Sequence, residues 1–154
     1  MGMYGHLVAV DAAGWEQVVE AGESVEWLPA GSLQVELDKA WQALWFALDG
    51  EREESGLRFA VPLSSGREID DMGSTAVTPE QVREAAAELA RLDEAGFRAR
   101  YDAVAMRTDF YPQFDQVSDR EQFKDFVAGH YGDLREFYQK AAAAGLGVVF
   151  QVDL

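Results

Sequence analysis

Two apolar stretches at opposite ends of the chain, Tyr4–Val10 (YGHLVAV) and Leu146–Val152 (LGVVFQV), decide the fold class. The first is rich in aromatic and β-branched residues, which favour strands, and the second follows Gly145, where the preceding helical pattern ends. Most residues between the two stretches have helical spacing, so we expect the strands to pair in one small sheet against helices. The sequence therefore predicts a helix-dominated α+β fold whose sheet includes the N- and C-terminal strands.

Apolar residues at helical spacing predict five helices between these strands. The helices are expected after Asp11, from Leu37, after Thr78, from Phe97 and after Ser118. Thr78 and Ser118 each open a capping-box pattern, and Pro79 occupies the first helical position after Thr78. The helix start at Thr78 is therefore the best-defined boundary, and Gly96 is expected to separate the third helix from the fourth.

Residues 51–77 show no repeating apolar pattern. Pro62, Ser64-Ser65-Gly66 and Met72-Gly73-Ser74 are typical of turns. A loop of this length is unusual in a compact domain, so the segment is either a binding region or contains strands that the pattern does not reveal. We expect a long loop with room for one short strand.

Length and charge narrow the classes of function. The chain has 154 residues, which favours a single domain over residues 1–154, and its 48% hydrophobic content argues against intrinsic disorder. Lys and Arg number 13 against 28 Asp and Glu, a net charge of −15. Nucleic-acid and anionic-lipid binders need a basic face, so neither partner is expected, whereas a partner with a basic surface is favoured.

The residue inventory also bears on cofactors and location. The chain has no cysteine and two histidines, which excludes disulfides and sulfur-containing zinc sites. It shows no phosphate-binding glycine loop, so we expect no cofactor and no metal. No basic, apolar export signal opens the chain, and the longest run without polar side chains, Ala141–Phe150, is about half of the ~20 residues that span a bilayer. A cytoplasmic location without membrane contact is expected.

Aromatic residues supply most candidates for a binding site. Trp41 and Trp45 lie on one predicted helical face beside Asp38, although core packing is the competing explanation for aromatic residues at this spacing. His130 lies in Gly129-His130-Tyr131-Gly132, where two glycines inside a helix either let a neighbour approach or mark a kink that exposes the histidine. We favour the kink. The candidate binding residues are Asp38, Trp41, Trp45, Tyr111, His130 and Tyr138.

The order of several short motifs resembles the YfbM-like bacterial family, which is catalogued as a domain of unknown function. The motifs are Met1-Gly2-Met3, Asp38-Lys39-Ala40-Trp41 with Leu44, Phe46, Leu48 and Gly50, Pro62-Leu63, Tyr111-Pro112, and Leu134 with Phe137-Tyr138, Ala141-Ala142, Gly145 and Gly147. The resemblance covers essentially the whole chain and implies a small cytoplasmic bacterial α+β protein without a cofactor. Family members commonly have histidine at the position of Trp45, so histidine-based chemistry on that helix is absent here.

Three functions are compatible with these observations. The leading hypothesis is a noncatalytic module with an aromatic cleft that binds a small molecule, a peptide or a protein. The alternative is an acidic inhibitor or immunity-type partner of a basic toxin or enzyme. A carboxylate-based hydrolase is the third, and it requires two carboxyl groups about 5–10 Å apart in a cleft. The balance favours binding over catalysis.

Overall fold

A five-stranded antiparallel sheet forms the centre of the fold in the computed structural model, which describes residues 4–25, 32–48, 55–70, 73–105 and 117–153. The strand order is β2-β1-β5-β4-β3. The strands are β1 (Tyr4–Val10), β2 (Gln34–Asp38), β3 (Arg67–Glu68), β4 (Thr75–Val77) and β5 (Gly147–Asp153). The two terminal strands pair along their whole length, from Tyr4 opposite Asp153 to Val10 opposite Gly147. The predicted α+β class and the predicted pairing of the terminal strands are confirmed.

Helices form most of the remaining described structure. They are α1 (Ala12–Trp15), which continues as a π-helical segment (Glu16–Glu20), α2 (Trp41–Leu48), a 3₁₀ turn (Gly56–Phe59), α3 (Pro79–Arg91), α4 (Glu94–Ala105) and α5 (Val117–Ala143). The Thr78 hydroxyl accepts from the backbone N–H of Gln81, whose side chain accepts from the N–H of Thr78, so the predicted capping box is confirmed. None of the described helices combines the length and apolar character needed to cross a membrane.

Helices cover both faces of the sheet, but unequally. The inner face, which carries Leu7 and Phe150, packs against α2, α3 and α5 and forms the main core. The outer face carries Val10, Ala76 and Val149, and a second, smaller core forms where α1 and the π-helical segment pack over these residues. The end of the sheet that contains Tyr4 lies outside this second core.

Two glycines let tryptophan rings lie directly on the sheet. A Cβ at Gly5 would lie 2.6 Å from the Cβ of Trp41 on the inner face, and a Cβ at Gly147 would lie 2.9 Å from the Trp15 ring on the outer face. Real side chains do not tolerate such distances, so both positions require glycine. The tryptophans fix the positions of α1 and α2 relative to the two central strands.

The structure corrects three details of the predicted elements. Leu37 belongs to β2 rather than to a helix, because Val35 and Leu37 alternate towards the inner face and the helix begins only at Trp41. Between residues 55 and 77, the described residues form a 3₁₀ turn and two short strands instead of a loop with one. Gly96 lies inside α4, since the Asp93 carboxylate accepts from its N–H, and the break falls before Glu94.

Candidate functional site

Two of the predicted binding residues are core residues. Trp41 is 6% exposed and its ring centroid lies 6.0 Å from that of Phe150. Tyr138 is fully buried, and its hydroxyl donates to the Phe59 carbonyl oxygen at 2.6 Å. Burial raises the pKa of Tyr138, because the phenolate would lose its hydration. Packing in the core explains the position of both side chains. A binding role for either residue stays a prediction, and the burial of both rings does not support it.

Trp45 and Tyr111 are two further predicted binding residues. Trp45 is half-buried against the main core, with its ring centroid 4.8 Å from that of Phe46. Tyr111 lies outside the described residues. The binding role of both residues therefore stays a prediction.

His130 connects α5 to the edge strand β2 through a hydrogen bond. Its Nδ1 lies 3.2 Å from the carbonyl oxygen of Glu36 in β2, a contact in which the tautomer protonated at Nδ1 donates. The ring also meets Phe126 edge-on, with centroids 4.6 Å apart. Helix α5 runs without interruption from residue 117 to 143, and Gly129 and Gly132 are both exposed. The helix is not interrupted at the glycines where we predicted a kink, and the contact with the edge strand explains the position of His130.

Asp38 ends β2 in a left-handed conformation, with φ of 50°. Aspartate tolerates this region better than most residues, and the Asp38 carboxylate accepts from the N–H of Lys39 at 2.7 Å. Asp38 is therefore a turn residue and not, as expected, part of the first turn of a helix. The turn brings the Lys39 ammonium to 5.8 Å from the centroid of the Tyr4 ring.

The structure brings together four side chains that we call the terminal-strand patch: Tyr4, His6, Glu36 and Asp153. Tyr4 is opposite Asp153 in the register of β1 and β5, and His6 is opposite Glu36 in β2. The His6 Nδ1 lies 3.1 Å from the Asp153 carboxylate. The His6 side chain is 13% exposed and that of Asp153 is 66% exposed, while Tyr4 is 41% exposed. The patch thus presents an aromatic ring and a carboxylate that is oriented by a histidine.

None of the four residues of this patch was among the binding residues predicted from the sequence. The alternation of β1 does place Tyr4 and His6 on one face, which is the signal that was available. Asp153 joins them only through the register of β1 with β5, which the sequence does not specify. Among the described residues, no three histidine, aspartate or glutamate side chains are grouped as a metal ion would require.

Carboxylates dominate the surface on this side of the sheet. We call six of them the acidic outer layer: Asp11, Glu16, Glu20, Glu23, Glu36 and Asp153. In the described part of this layer the cations are Lys39, which lies over Tyr4, and Arg67, which pairs with Glu20 at 2.9 Å. The hydrogen bond from Arg67 lowers the pKa of Glu20.

The opposite side of the molecule has a different charge pattern. Ion pairs connect the helices there, with Arg98 bound to Asp125 at 2.8 Å and Lys124 bound to Asp102 at 2.9 Å. Cations and carboxylates alternate along α3, α4 and α5, so their charges partly cancel. Among the described residues, the outer layer thus has four more carboxylates than cations, whereas α3, α4 and α5 together have two more.

Comparisons with known proteins identify the fold but give no activity. A family model described as a domain of unknown function, DUF1877, matches residues 1–151. The crystal structure of YfbM from Escherichia coli, itself described as a protein of unknown function, has a similar fold. The two chains are 18% identical and superpose with a TM-score of 0.73 over 97% of this chain and 99% of that one. No curated protein matches the chain.

Proposed function

Because the chain belongs to the DUF1877 family, whose function is unknown, we propose a function from its own geometry: a noncatalytic module that binds a protein with a cationic surface. The observation that carries this proposal is the acidic outer layer, which contains six exposed carboxylates and two cations. A cytoplasmic location, expected from the sequence, is part of the proposal.

The physical basis is electrostatic steering. The net charge of −15 produces a negative potential around the molecule, and the six carboxylates and two cations of the outer layer contribute four of these negative charges on one side of the sheet. Such a surface speeds the encounter with a cationic partner and disfavours partners of like charge. An inhibitor that binds a basic enzyme or toxin depends most directly on this negative charge.

The buried aromatic residues favour a protein partner over a small molecule. Small ligands need a concave, largely apolar site, and the predicted aromatic cleft depended on Trp41. That ring instead lies between α2 and the sheet. The exposed carboxylates of the outer layer instead form an extended surface that a protein of complementary charge can bind.

A capture experiment with charge-matched variants tests the proposal. The bait proteins are the wild type, the outer-layer variant Glu16→Gln/Glu23→Gln and the control Glu80→Gln/Glu84→Gln on α3, where both residues are exposed. Both variants remove two charges, so only their location differs. We expect the wild type and the control to retain a protein of net positive charge that the outer-layer variant binds about ten-fold less well, which corresponds to about 1.4 kcal/mol.

Ionic strength supplies the second criterion. The association should weaken when salt rises from about 50 mM to about 500 mM, because salt screens the attraction between exposed charges. Binding that is insensitive to salt, or that the α3 control weakens as much as the outer-layer variant, would contradict the proposal.

A further inference from the structure

We propose that Tyr4 and Asp153 together hold a guanidinium or ammonium side chain of the cationic partner. This inference rests on the proposed function, since it names the point of the outer side of the sheet at which a basic side chain is held. The juxtaposition that carries it is an exposed aromatic ring directly opposite an exposed carboxylate, with a lysine of the chain itself already over the ring.

The exposure of Tyr4 sets it apart from the other tyrosines described. Tyr101, Tyr131 and Tyr138 are buried, whereas Tyr4 is 41% exposed. Among the large hydrophobic residues described, Phe126 on α5 has a similar exposure, at 39%. Tyrosine provides a large, rigid contact area at low entropic cost and is enriched among residues that dominate binding energy at interfaces.

The ring of Tyr4 is placed to receive a cation. The Lys39 ammonium lies 5.8 Å from the ring centroid, close to the ~6 Å limit of a cation–π contact. This distance makes the internal contact weak. Lys39 extends from the turn after β2 on a flexible side chain, so a guanidinium from a partner can replace it over the ring and stack more closely.

Asp153 provides the matching carboxylate. Side chains that are directly opposite on antiparallel strands lie about 5 Å apart at Cβ, so one guanidinium can stack on Tyr4 and reach Asp153. The Asp153 Oδ2 atom contacts the His6 imidazole at 3.1 Å, which orients the carboxylate. His6 is thus a positioning residue, and Glu36 opposite it adds a further negative charge.

The charges of the patch identify the occupant. An anion would be repelled by Asp153 and Glu36, and an apolar side chain would desolvate Asp153 without pairing it. A second copy of this chain would bring two acidic outer layers together, which like-charge repulsion opposes. A basic side chain of a different protein satisfies both the ring and the carboxylate.

Titration with a hexa-arginine peptide tests this site, with a hexa-glutamate peptide as the negative control. Tyr4→Leu keeps an apolar side chain but removes the π system, and Phe126→Leu makes the matching change at an equally exposed ring elsewhere. We expect Tyr4→Leu and Asp153→Asn each to weaken arginine-peptide binding about five-fold, with Tyr4→Phe and Phe126→Leu close to the wild type.

Lys39 gives a test with the opposite sign. Lys39→Met removes the cation that competes for the Tyr4 ring, so it should strengthen peptide binding more than Lys140→Met does. Lys140 is the matched control because it is exposed on α5 and pairs with Glu136 at 2.9 Å. If Lys39 only stabilised the fold, Lys39→Met would not strengthen binding of the peptide.

The outcomes separate the two proposals. If Glu16→Gln/Glu23→Gln weakens peptide binding while Tyr4→Leu and Asp153→Asn do not, the Tyr4 site is wrong and the proposed function stands. If the wild type shows no salt-dependent binding of the arginine peptide or of any basic protein, the proposed function fails as well. Circular dichroism of each variant confirms that the fold is retained.

Discussion

Gly129 and Gly132 lie on the solvent side of α5. Apart from the adjacent residues and the backbone of the helix itself, no atom of the described residues lies within 4 Å of a Cβ added at either position. The helix is continuous through both residues, so neither position needs a left-handed backbone or a close neighbour within the described chain. Glycine inside a helix is less favourable than alanine by about 1 kcal/mol, because the unfolded chain loses more freedom when it orders.

Gly129→Ala should therefore raise the free energy of unfolding by about 0.5–1 kcal/mol. Urea denaturation of the variant and the wild type measures the change. Gly5→Ala is the contrasting control, since its Cβ would meet Trp41 and should lower stability. A loss of stability in Gly129→Ala would show that another part of the protein lies against the helix surface at this point.

The buried tyrosines predict a loss of stability in alkali. Burial raises the pKa of Tyr101 and Tyr131 to about 12 and raises that of Tyr138 as well. An unfolded tyrosine loses its proton near pH 10, whereas the folded state retains it. The stabilising contribution is thus fully present below about pH 10 and is lost as the pH rises towards 12.

Tyr138→Phe isolates one of these contributions. The variant has no proton to lose at this position, so its free energy of unfolding should fall less steeply above about pH 10 than that of the wild type. At neutral pH it should be less stable by about 1–3 kcal/mol, because the buried Phe59 carbonyl loses its donor. Equal pH slopes in guanidinium titrations of the two proteins would contradict this account.

At the scale of elements, the edges of the sheet are held by side chains. His130 of α5 contacts the Glu36 carbonyl of the edge strand β2, and Arg67 of the edge strand β3 pairs with Glu20 of the π-helical segment. Edge strands otherwise present unpaired backbone groups that invite association. These contacts connect the helices on both faces to the two edges of the sheet.

The N-cap of α3 is the element boundary with the clearest energetic consequence. Thr78→Ala should lower the free energy of unfolding by about 1 kcal/mol, because the N–H of Gln81 loses its acceptor at this end. Thr78→Ser keeps the hydroxyl and should remain close to the wild type. Thermal denaturation followed by circular dichroism distinguishes them, and an unchanged Thr78→Ala would show that solvent replaces the cap without cost.

The sequence predicts those elements whose signals are local. The capping box at Thr78 and the aliphatic pattern of the terminal strands depend on neighbouring residues, and both predictions are confirmed. Strand β2 is missed because Leu37 also fits helical spacing with Trp41, and the left-handed turn at Asp38 that separates them has no pattern of its own. Strands β3 and β4 have two and three residues, too few to show alternation.

The candidate site belongs to the scale of the whole molecule. Tyr4 and Asp153 lie at opposite ends of the sequence and become neighbours only through the register of β1 and β5. Composition does predict the excess of acidic residues, but which of them lie on the outer side of the sheet depends on where α1 packs. Trp41 and Tyr138 were predicted to bind a ligand but are core residues. Aromatic residues at helical spacing are compatible with both roles, and only the burial seen in the structure distinguishes them.

The net charge of −15 predicts how the whole fold responds to salt. Like charges repel in the compact state more than in the expanded chain, and salt screens this repulsion. The melting temperature should therefore rise between low and about 150 mM ionic strength. Differential scanning calorimetry in sodium chloride measures it, and a melting temperature that does not change would show that the carboxylates are too far apart to repel one another.

The association rate of the hexa-arginine peptide tests the central claim most directly, when measured by stopped flow over a series of ionic strengths. Steering by the acidic outer layer predicts a rate constant that falls as salt increases, with a shallower fall for Glu16→Gln/Glu23→Gln than for the charge-matched control Glu80→Gln/Glu84→Gln. The same slope in both variants, or a rate that does not depend on salt, would contradict a cationic partner that binds through this side of the sheet.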